Sequence, residues 1–330
     1  MDIQQHFQLI GSGIYFPRRE IDAEEIDRRL GKSPGWTREN IGVNRRFECA
    51  APESIATMAA AAVAKAMTAA QVGWPEIDLI LDCSTSRHRP IPCNAVHIQS
   101  LFGAAAQGIP CFDIQSTCLG FIVALHVANG LMQSGTYRHI LISCSESPLL
   151  AVNWHEAESA ALFGDGAAAF ILKRSTEPRL GAYVQETHSD FLQACIVEGG
   201  GHLQTVFHYS PHDEARYRFH MDGKSLMRAT HRYLPPMFQK IAERPHVDVA
   251  GLHVVPHQGA PRALEMVRRW IDMPAERFHR HAADYGSIAA ASIPITLHQC
   301  LEWGAIGPGQ QVMLLGTSAG YSQAAMVFYV

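Results

Sequence analysis

Cys118 lies in the segment Asp113-Ile-Gln-Ser-Thr-Cys-Leu-Gly-Phe121, between a strand-like apolar run and a long apolar stretch of helical spacing. That placement puts a thiol near a helix N-terminus. Unpaired backbone N–H groups and the positive end of the helix dipole there favour thiolate over thiol. A thiolate so placed is a candidate covalent nucleophile; the ordinary alternative for a single cysteine is a buried structural residue. A second reactive side chain stands in Pro256-His-Gln-Gly259, which closes the apolar run Leu252-His-Val-Val-Pro256. His257 then projects from a strand end, where α/β proteins commonly place active-site residues. A cysteine and a histidine of this kind are compatible with a nucleophile and its base. Gly164-Asp-Gly166 has the glycines of a phosphate loop but no following Gly-Lys-Ser/Thr, so a tight turn entering a strand is the simpler reading.

The elements that must hold these residues recur. Glu53 to Gln71 reads as an Ala-rich helix, followed by Pro75, Asp78 and the buried strand Leu79-Ile-Leu-Asp-Cys83. Lys224 to Ala242 reads as a helix interrupted at Pro235-Pro236, followed by His246-Val-Asp248 and the strand Leu252 to Pro256. A second unit also appears twice. Phe112 to Gln115, a helix from Cys118 to Gln133, Gly135 and the strand Ile140-Leu-Ile-Ser-Cys144 form one copy. Arg280 to Tyr285, Gly286-Ser287, a helix from Ile288 to Trp303, Gly307 and the strand Val312-Met-Leu-Leu-Gly316 form the other. One loop carries Cys118 and its counterpart carries Ser287. Two similar α/β halves suggest an internal duplication with a shared site between them; chance recurrence of common βα units is the other reading. The division expected is residues 1–172 and 173–330, with Lys173-Arg-Ser-Thr-Glu-Pro178 as a polar link. Gly199-Gly-Gly201 to Asp213 reads as a long aperiodic loop, of the kind that borders functional sites.

Composition narrows the class. Charged residues make up 18% and the formal net charge is −4, with no long basic run, which argues against a nucleic-acid surface. The start, Met1-Asp-Ile-Gln-Gln-His, lacks the pattern of a signal peptide, and the longest apolar run is too short to span a bilayer. A cytoplasmic protein is expected. None of the eight cysteines forms a C-x-x-C pair, so they read as reduced thiols. Of 18 histidines, His279 and His281 are close and His253 and His257 are four apart, but neither pair has zinc-site spacing. No metal site is expected.

Several segments occur in a telling order: Ile10-Gly-Ser-Gly-Ile-Tyr-Phe-Pro17, Trp36, Ile41-Gly42, Ala51-Pro-Glu-Ser-Ile-Ala-Thr-Met58, the Cys118 segment, Phe163-Gly-Asp-Gly-Ala167, Pro256-His-Gln258 and Tyr285-Gly-Ser-Ile-Ala-Ala-Ala-Ser292. Together, over nearly the whole chain, they resemble the thiolase-fold condensing enzymes, and specifically β-ketoacyl-ACP synthase III. The resemblance implies an α/β thiolase fold, five αβαβα layers built from two pseudo-twofold-related halves. It implies ping-pong acyl transfer, in which an acyl thioester of CoA or an acyl carrier protein (ACP) esterifies Cys118. Malonyl-ACP then decarboxylates and attacks the acyl-enzyme. No cofactor is implied beyond the CoA or ACP phosphopantetheine thioesters that are the substrates.

Further roles follow from the same resemblance. Backbone N–H groups of Cys118 and Ala319, the latter in Gly316-Thr-Ser-Ala-Gly320, are implied as the oxyanion site. Trp36 matches a residue that stacks on adenine and Arg262 is implied with it in CoA or pantetheine binding, whereas the two nucleotide-gripping arginines of the family align near Asn40 and Ala157. Arg228, Arg262, Arg268 and Arg269 fall at or beside the carrier-docking positions, and such a patch can steer an acidic partner. A homodimer is implied, with Ser86 to Asn94 as the interface loop and Ile91 near the residue that reaches into the partner's acyl pocket.

The chain departs from the family where its catalytic Asn is expected, because Ser287 stands there. Losing one such donor typically costs ~2.7–4 kcal/mol, about a hundred- to a thousandfold in rate. A serine hydroxyl still donates but is shorter. Decarboxylative condensation is thus the leading expectation. The alternatives are non-decarboxylative transfer to an alcohol or amine, with His257 as base, and a partner subunit of a heteromeric ketosynthase.

Overall fold

One long strand belongs to two sheets at once. A computed structural model describes residues 1–330. In chain order the strands are β1 (Asp2–Tyr15), β2 (Arg19–Asp22), β3 (Arg45–Glu48), β4 (Leu79–Asp82), β5 (Cys111–Asp113), β6 (His139–Glu146), β7 (Gly166–Thr187), β8 (Cys195–Ile196), β9 (His220–Met221), β10 (His253–Pro256), β11 (Gln311–Ser318) and β12 (Ser322–Tyr329). The helices are α1 (Ala23–Arg29), α2 (Trp36–Asn40), α3 (Ile55–Ala70), α4 (Asn94–Ser100), α5 (Gly120–Gln133), α6 (Ala157–Leu162), α7 (Gly223–Ala242), α8 (Pro261–Trp270), α9 (Ala282–Tyr285) and α10 (Ser292–Glu302).

The first part of β7, Gly166 to Lys173, pairs antiparallel with β6, and its second part, Ala182 to Thr187, pairs with β12. On one side this gives the order β5-β4-β6-β7-β1, and on the other β10-β11-β12-β7. Phe278 bridges Val254 of β10 in parallel, at the place that β5 takes beside β4. The two halves therefore share one strand order, as expected of the thiolase fold. The expected polar link at Lys173–Pro178 is no loop: it lies inside β7, and the strand simply changes partners there. Its exposed polar side chains need only a solvated stretch of strand.

Helices fill the layers between and outside the sheets. α5 is apolar on almost every face and buries Phe121, Ile122, Ala124, Leu125, Ala128 and Met132. A helix apolar all round must be covered all round. With α10 it forms the middle layer, packed into the same core cluster as strands of both sheets. α3 covers the outside of the first sheet and α7 with α8 the outside of the second. The start of α3 is fixed by a capping box, in which Ser54 and Thr57 satisfy each other's backbone N–H groups. Its alanine face lies so close to β1 that a Cβ at Gly11 or Gly13 would stand 2.5 Å from the Ala66 or Ala62 carbonyl oxygen. The Gly-Ser-Gly of the first motif is thus a close-packing device. α7 runs unbroken through Pro235 and Pro236, against expectation. The carbonyls that lose a helical partner belong to His231 and Arg232, both exposed, where water can serve them. No helix is long and apolar enough to cross a membrane.

Candidate active site

Cys118 sits in a 3₁₀ turn, Thr117–Leu119, that leads directly into α5. Thr117 holds φ 45°, a left-handed conformation that is unusual for a non-glycine residue. The second half repeats the device: Ala289 holds φ 43° at the start of the turn Ala289–Ala291, which leads into α10. The true counterpart of Cys118 is therefore Ala290. Ser287 lies three residues earlier in the same loop, so the two loops correspond as expected while the two residues do not occupy equivalent points.

The turn of Cys118 packs against the turn of Ala289 and the end of β11. Gly316 is a point of close approach. A Cβ there would stand 2.8 Å from Leu119 Cδ2 and 3.4 Å from the His257 Cβ. His257 follows β10, and its backbone N–H donates to the Leu315 carbonyl at 2.7 Å. Cys118 and His257, far apart in sequence, are thus brought to one corner between the halves.

Both groups are neutral at rest. Cys118 is partly accessible, yet burial, helped by neighbouring Cys195 and Glu146, pushes its thiol well up. Burial thus opposes the preference for thiolate expected at a helix N-terminus, because the turn before α5 is packed between the two halves. Burial lowers His257 to about 4, so its imidazole is neutral near pH 7. Its Nδ1 is buried with no hydrogen-bond partner in the chain. Behind it lies a cavity of about 40 Å³ lined by residues that include Thr230, Pro256, Gly316 and Thr317.

Ser287 is buried, at 2% exposure, and bridges Phe163. Its N–H donates to the Leu162 carbonyl at 2.8 Å and its carbonyl accepts from the Gly164 N–H at 2.9 Å. A Cβ at Gly164 would meet the Tyr285 carbonyl oxygen at 2.3 Å, so Phe163-Gly-Asp-Gly is a clamp on the Ser287 loop and not a phosphate loop. Asp165 completes it by accepting from the Cys49 and Leu149 N–H groups and the Ser147 hydroxyl. Underneath, Arg46 is fully buried and donates to the Ala160 and Phe163 carbonyls. Sequence reasoning missed Arg46, because an arginine pair before an aromatic carries no motif and does not show which of the two is buried.

The remaining candidates are more dispersed. Ala319 lies in the hairpin tip between Ser318 and Ser322, whereas Gly316 is where a Cβ would meet Leu119 and His257. Trp36 is half-buried, with Lys32 Nζ 5.2 Å from its ring centroid, and Arg262 bonds the Glu39 carbonyl beside it. Ala157 follows Glu156, whose carboxylate lies 2.7 Å from His220 Nδ1. Arg228 is exposed, and its guanidinium donates to the Ser225 hydroxyl. Arg268, Arg269 and Arg280 all converge on Glu265. Arg268 is further tied to the Met273 carbonyl, so it offers less free charge than the linear sequence suggests. Ile91 is 85% exposed on its loop. No three His, Cys, Asp or Glu side chains gather as metal ligands. His253 Nδ1 lies 3.1 Å from His279 Nε2 instead.

Known proteins match this arrangement end to end. A family model described as 3-oxoacyl-[acyl-carrier-protein (ACP)] synthase III matches residues 112–190, and the model of its C-terminal part matches residues 247–330. The β-ketoacyl-[acyl-carrier-protein] synthase III of Clostridium perfringens (strain SM101) is 28% identical over 323 residues, covering 97% of this chain and 98% of that protein. That of Aquifex aeolicus is 28% identical over 321 residues, with 97% and 98% covered. The crystal structure of the Aquifex aeolicus 3-oxoacyl-[acyl-carrier-protein] synthase III superposes with a TM-score of 0.87 at 25% identity, covering 98% of this chain and all of that one (100%). The priming β-ketosynthase of the R1128 polyketide pathway superposes with a TM-score of 0.89 at 25% identity, covering 99% and 97%. Fold, site and relatives agree on an acyl-transferring condensing enzyme. The chain belongs to the β-ketoacyl-ACP synthase III-like enzymes of the thiolase superfamily.

Proposed function

We propose that the enzyme forms a thioester on Cys118 and passes its acyl group to malonyl-ACP in a fatty acid or polyketide-type pathway. The observation that supports this reading is the closeness of the two segments at Gly316, where an added Cβ would stand 2.8 Å from Leu119 Cδ2 and 3.4 Å from the His257 Cβ. In the first step Sγ attacks the donor's thioester carbonyl, the carrier's sulfur leaves, and the thiol proton passes to it. In the second, malonyl-ACP loses carbon dioxide and its carbanion attacks the acyl-enzyme. With one proton taken up, the products are free Cys118, carbon dioxide and 3-oxoacyl-ACP. A neutral imidazole suits both steps: it relays the thiol proton and then donates a ring N–H to the thioester oxygen as charge develops. Ser287 lends its hydroxyl to the same oxygen. The Cys118 N–H serves the acyl oxyanion, together with a backbone N–H of the segment Gly316–Ala319. No metal or organic cofactor is needed, because both substrates bring their own activation as thioesters.

Acyl-CoA or acyl-ACP serves as donor. Trp36 and Arg262 flank the pantetheine route, and Arg228, Arg262, Arg269 and the partly neutralised Arg268 meet the acidic carrier. The enzyme works in the cytoplasm as a homodimer in which Ile91, exposed in the single chain, covers the partner's acyl pocket. The halves 1–172 and 173–330 supply Cys118 and His257 respectively. The shorter side chain at Ser287 favours one other reading, transfer of the acyl group to an alcohol or amine with His257 as the base.

Intact-protein mass spectrometry after incubation with acyl-CoA and acyl-ACP donors, then a malonyl-ACP chase, separates these. Condensation predicts a mass gain that malonyl-ACP discharges with 3-oxoacyl-ACP appearing. An adduct that malonyl-ACP leaves in place, but an alcohol or amine removes, overturns it in favour of the second reading.

A further inference from the structure

Gln258 follows His257 and is 2% exposed. Its side chain uses its full hydrogen-bonding capacity on backbone. Nε2 donates to the Pro256 carbonyl at 2.8 Å and to the His279 carbonyl at 3.1 Å. Oε1 accepts from the His281 N–H at 2.8 Å and the Ala282 N–H at 3.2 Å. One end of this amide is thus fixed to the strand that carries His257. The other end holds the entry to α9, which leads through Gly286 to Ser287.

The first half makes the equivalent connection through backbone alone: the Ile114 N–H donates to the Asp82 carbonyl at 2.7 Å. Cys83 takes the place of His257 there, donating its N–H to the Ser143 carbonyl at 2.8 Å. The residue after it, Ser84, bonds Asp82 and the Ser145 N–H and makes no bond to the segment leading to Cys118. A side-chain amide makes this connection only in the second half, whose strand end and following loop supply two separate groups to the second substrate.

We propose that Gln258 is a positioning residue for the second step: it fixes the loop of Ser287 to the strand of His257, so that both groups face one thioester oxygen. This rests on the assignment of His257 and Ser287 to that step. Cys118 reaches its place through a different turn, and His257, which also relays the thiol proton, is held on its strand by its own N–H bond to the Leu315 carbonyl, so acyl-enzyme formation does not need the Gln258 tie. A misplacement of about 1 Å at a reacting centre costs about a hundredfold in rate.

The test uses the full-length enzyme and Gln258→Met, which keeps the volume and removes all four bonds. Acylation of Cys118 by acetyl- and octanoyl-CoA, and by the same groups on a carrier protein, is expected to stay within about twofold of the parent. Discharge by malonyl-ACP is expected to fall about a hundredfold. In the same samples, amide hydrogen exchange at His281 and Ala282 is expected to quicken at least tenfold while α5 and α10 stay protected. Gln258→Glu, which can donate only when protonated, is expected to regain discharge as pH falls from 8 to 6. Unchanged exchange at 281–282, unchanged discharge, or an equal loss in both half-reactions overturns the proposal. If the parent acyl-enzyme itself resists malonyl-ACP, the malonyl reading fails. The exchange rates then still decide whether Gln258 holds the loop, and discharge by an alcohol or amine decides its effect on the second step.

Discussion

The two halves of the molecule share one backbone plan but place different side chains at its equivalent points. Each places a left-handed residue, Thr117 or Ala289, before a 3₁₀ turn and a buried helix, and each follows with a strand at the same interval, β6 or β11. At equivalent points the first half has Cys118, Cys83 and Cys144, and the second has Ala290, His257 and Gly316. Cys83 and Cys144 are buried thiols within hydrogen-bonding reach of main-chain carbonyls. His257 keeps a free ring nitrogen, and Gly316 withholds a side chain where one would strike Leu119. On the proposed function, one half gives the nucleophile and the other the space and the proton carrier. Neither half carries both.

Moving groups between equivalent points tests this division. Cys118→Ala abolishes acyl-enzyme formation, and the double variant Cys118→Ala/Ala290→Cys stays without an adduct, because the equivalent of His257 beside the new thiol is Cys83. Mass spectrometry with acyl donors checks both, and an adduct mapped to position 290 contradicts the division. Ser287→Asn is expected to raise release of carbon dioxide from malonyl-ACP by up to about a hundredfold, the worth of one good oxyanion donor. No gain in carbon dioxide means that the pocket does not hold malonyl. Smaller effects separate Gly316 from Cys144. Gly316→Ala is expected to cost about 1–3 kcal/mol by overpacking against Leu119 and to slow acylation about tenfold by displacing Leu119 and His257. Cys144→Ala costs about 1 kcal/mol and leaves acylation unchanged. Urea unfolding beside the acylation rate distinguishes the pair, and equal kinetic effects contradict the comparison.

Much of this was legible in the residues. Apolar runs marked β4, β6, β10 and β11 because strands covered on both faces are apolar throughout. Cys118 and His257 stood out because their chemistry is unusual for residues at the ends of such runs. The equivalence of Ala290 was hidden, since the turn is defined by the φ of Ala289, and alanine is no signal for a left-handed residue. Gln258 and Arg46 were invisible for a related reason: their partners are backbone atoms distant in the chain, and no side-chain pattern records them. Arg268 misled in the opposite way, because linear spacing counts charges without showing that Glu265 gathers several of them.

The last contrast is between the helix dipole and the two sheets that enclose the helix. A thiol at an open helix N-terminus titrates below its ordinary value. Cys118 is pushed above it, so at pH 7 the resting pair is thiol and neutral imidazole, with no ion pair between them. Site-resolved alkylation by iodoacetamide is therefore expected to rise about tenfold per pH unit from 6.5 to 9 at Cys118, since only the thiolate reacts. A plateau near pH 7 would falsify the neutral resting state. The same burial sets the sign for His257. With its pKa lowered to about 4, lowering the pH from 7.5 to 5.5 leaves it neutral, and any acid limb it imposes on discharge lies near pH 4. An acid limb near 6.5 that disappears in His257→Gln would show that substrate binding opens the corner to water and restores the ordinary imidazole. The nucleophile would then be activated by the arriving thioester and not by the fold alone.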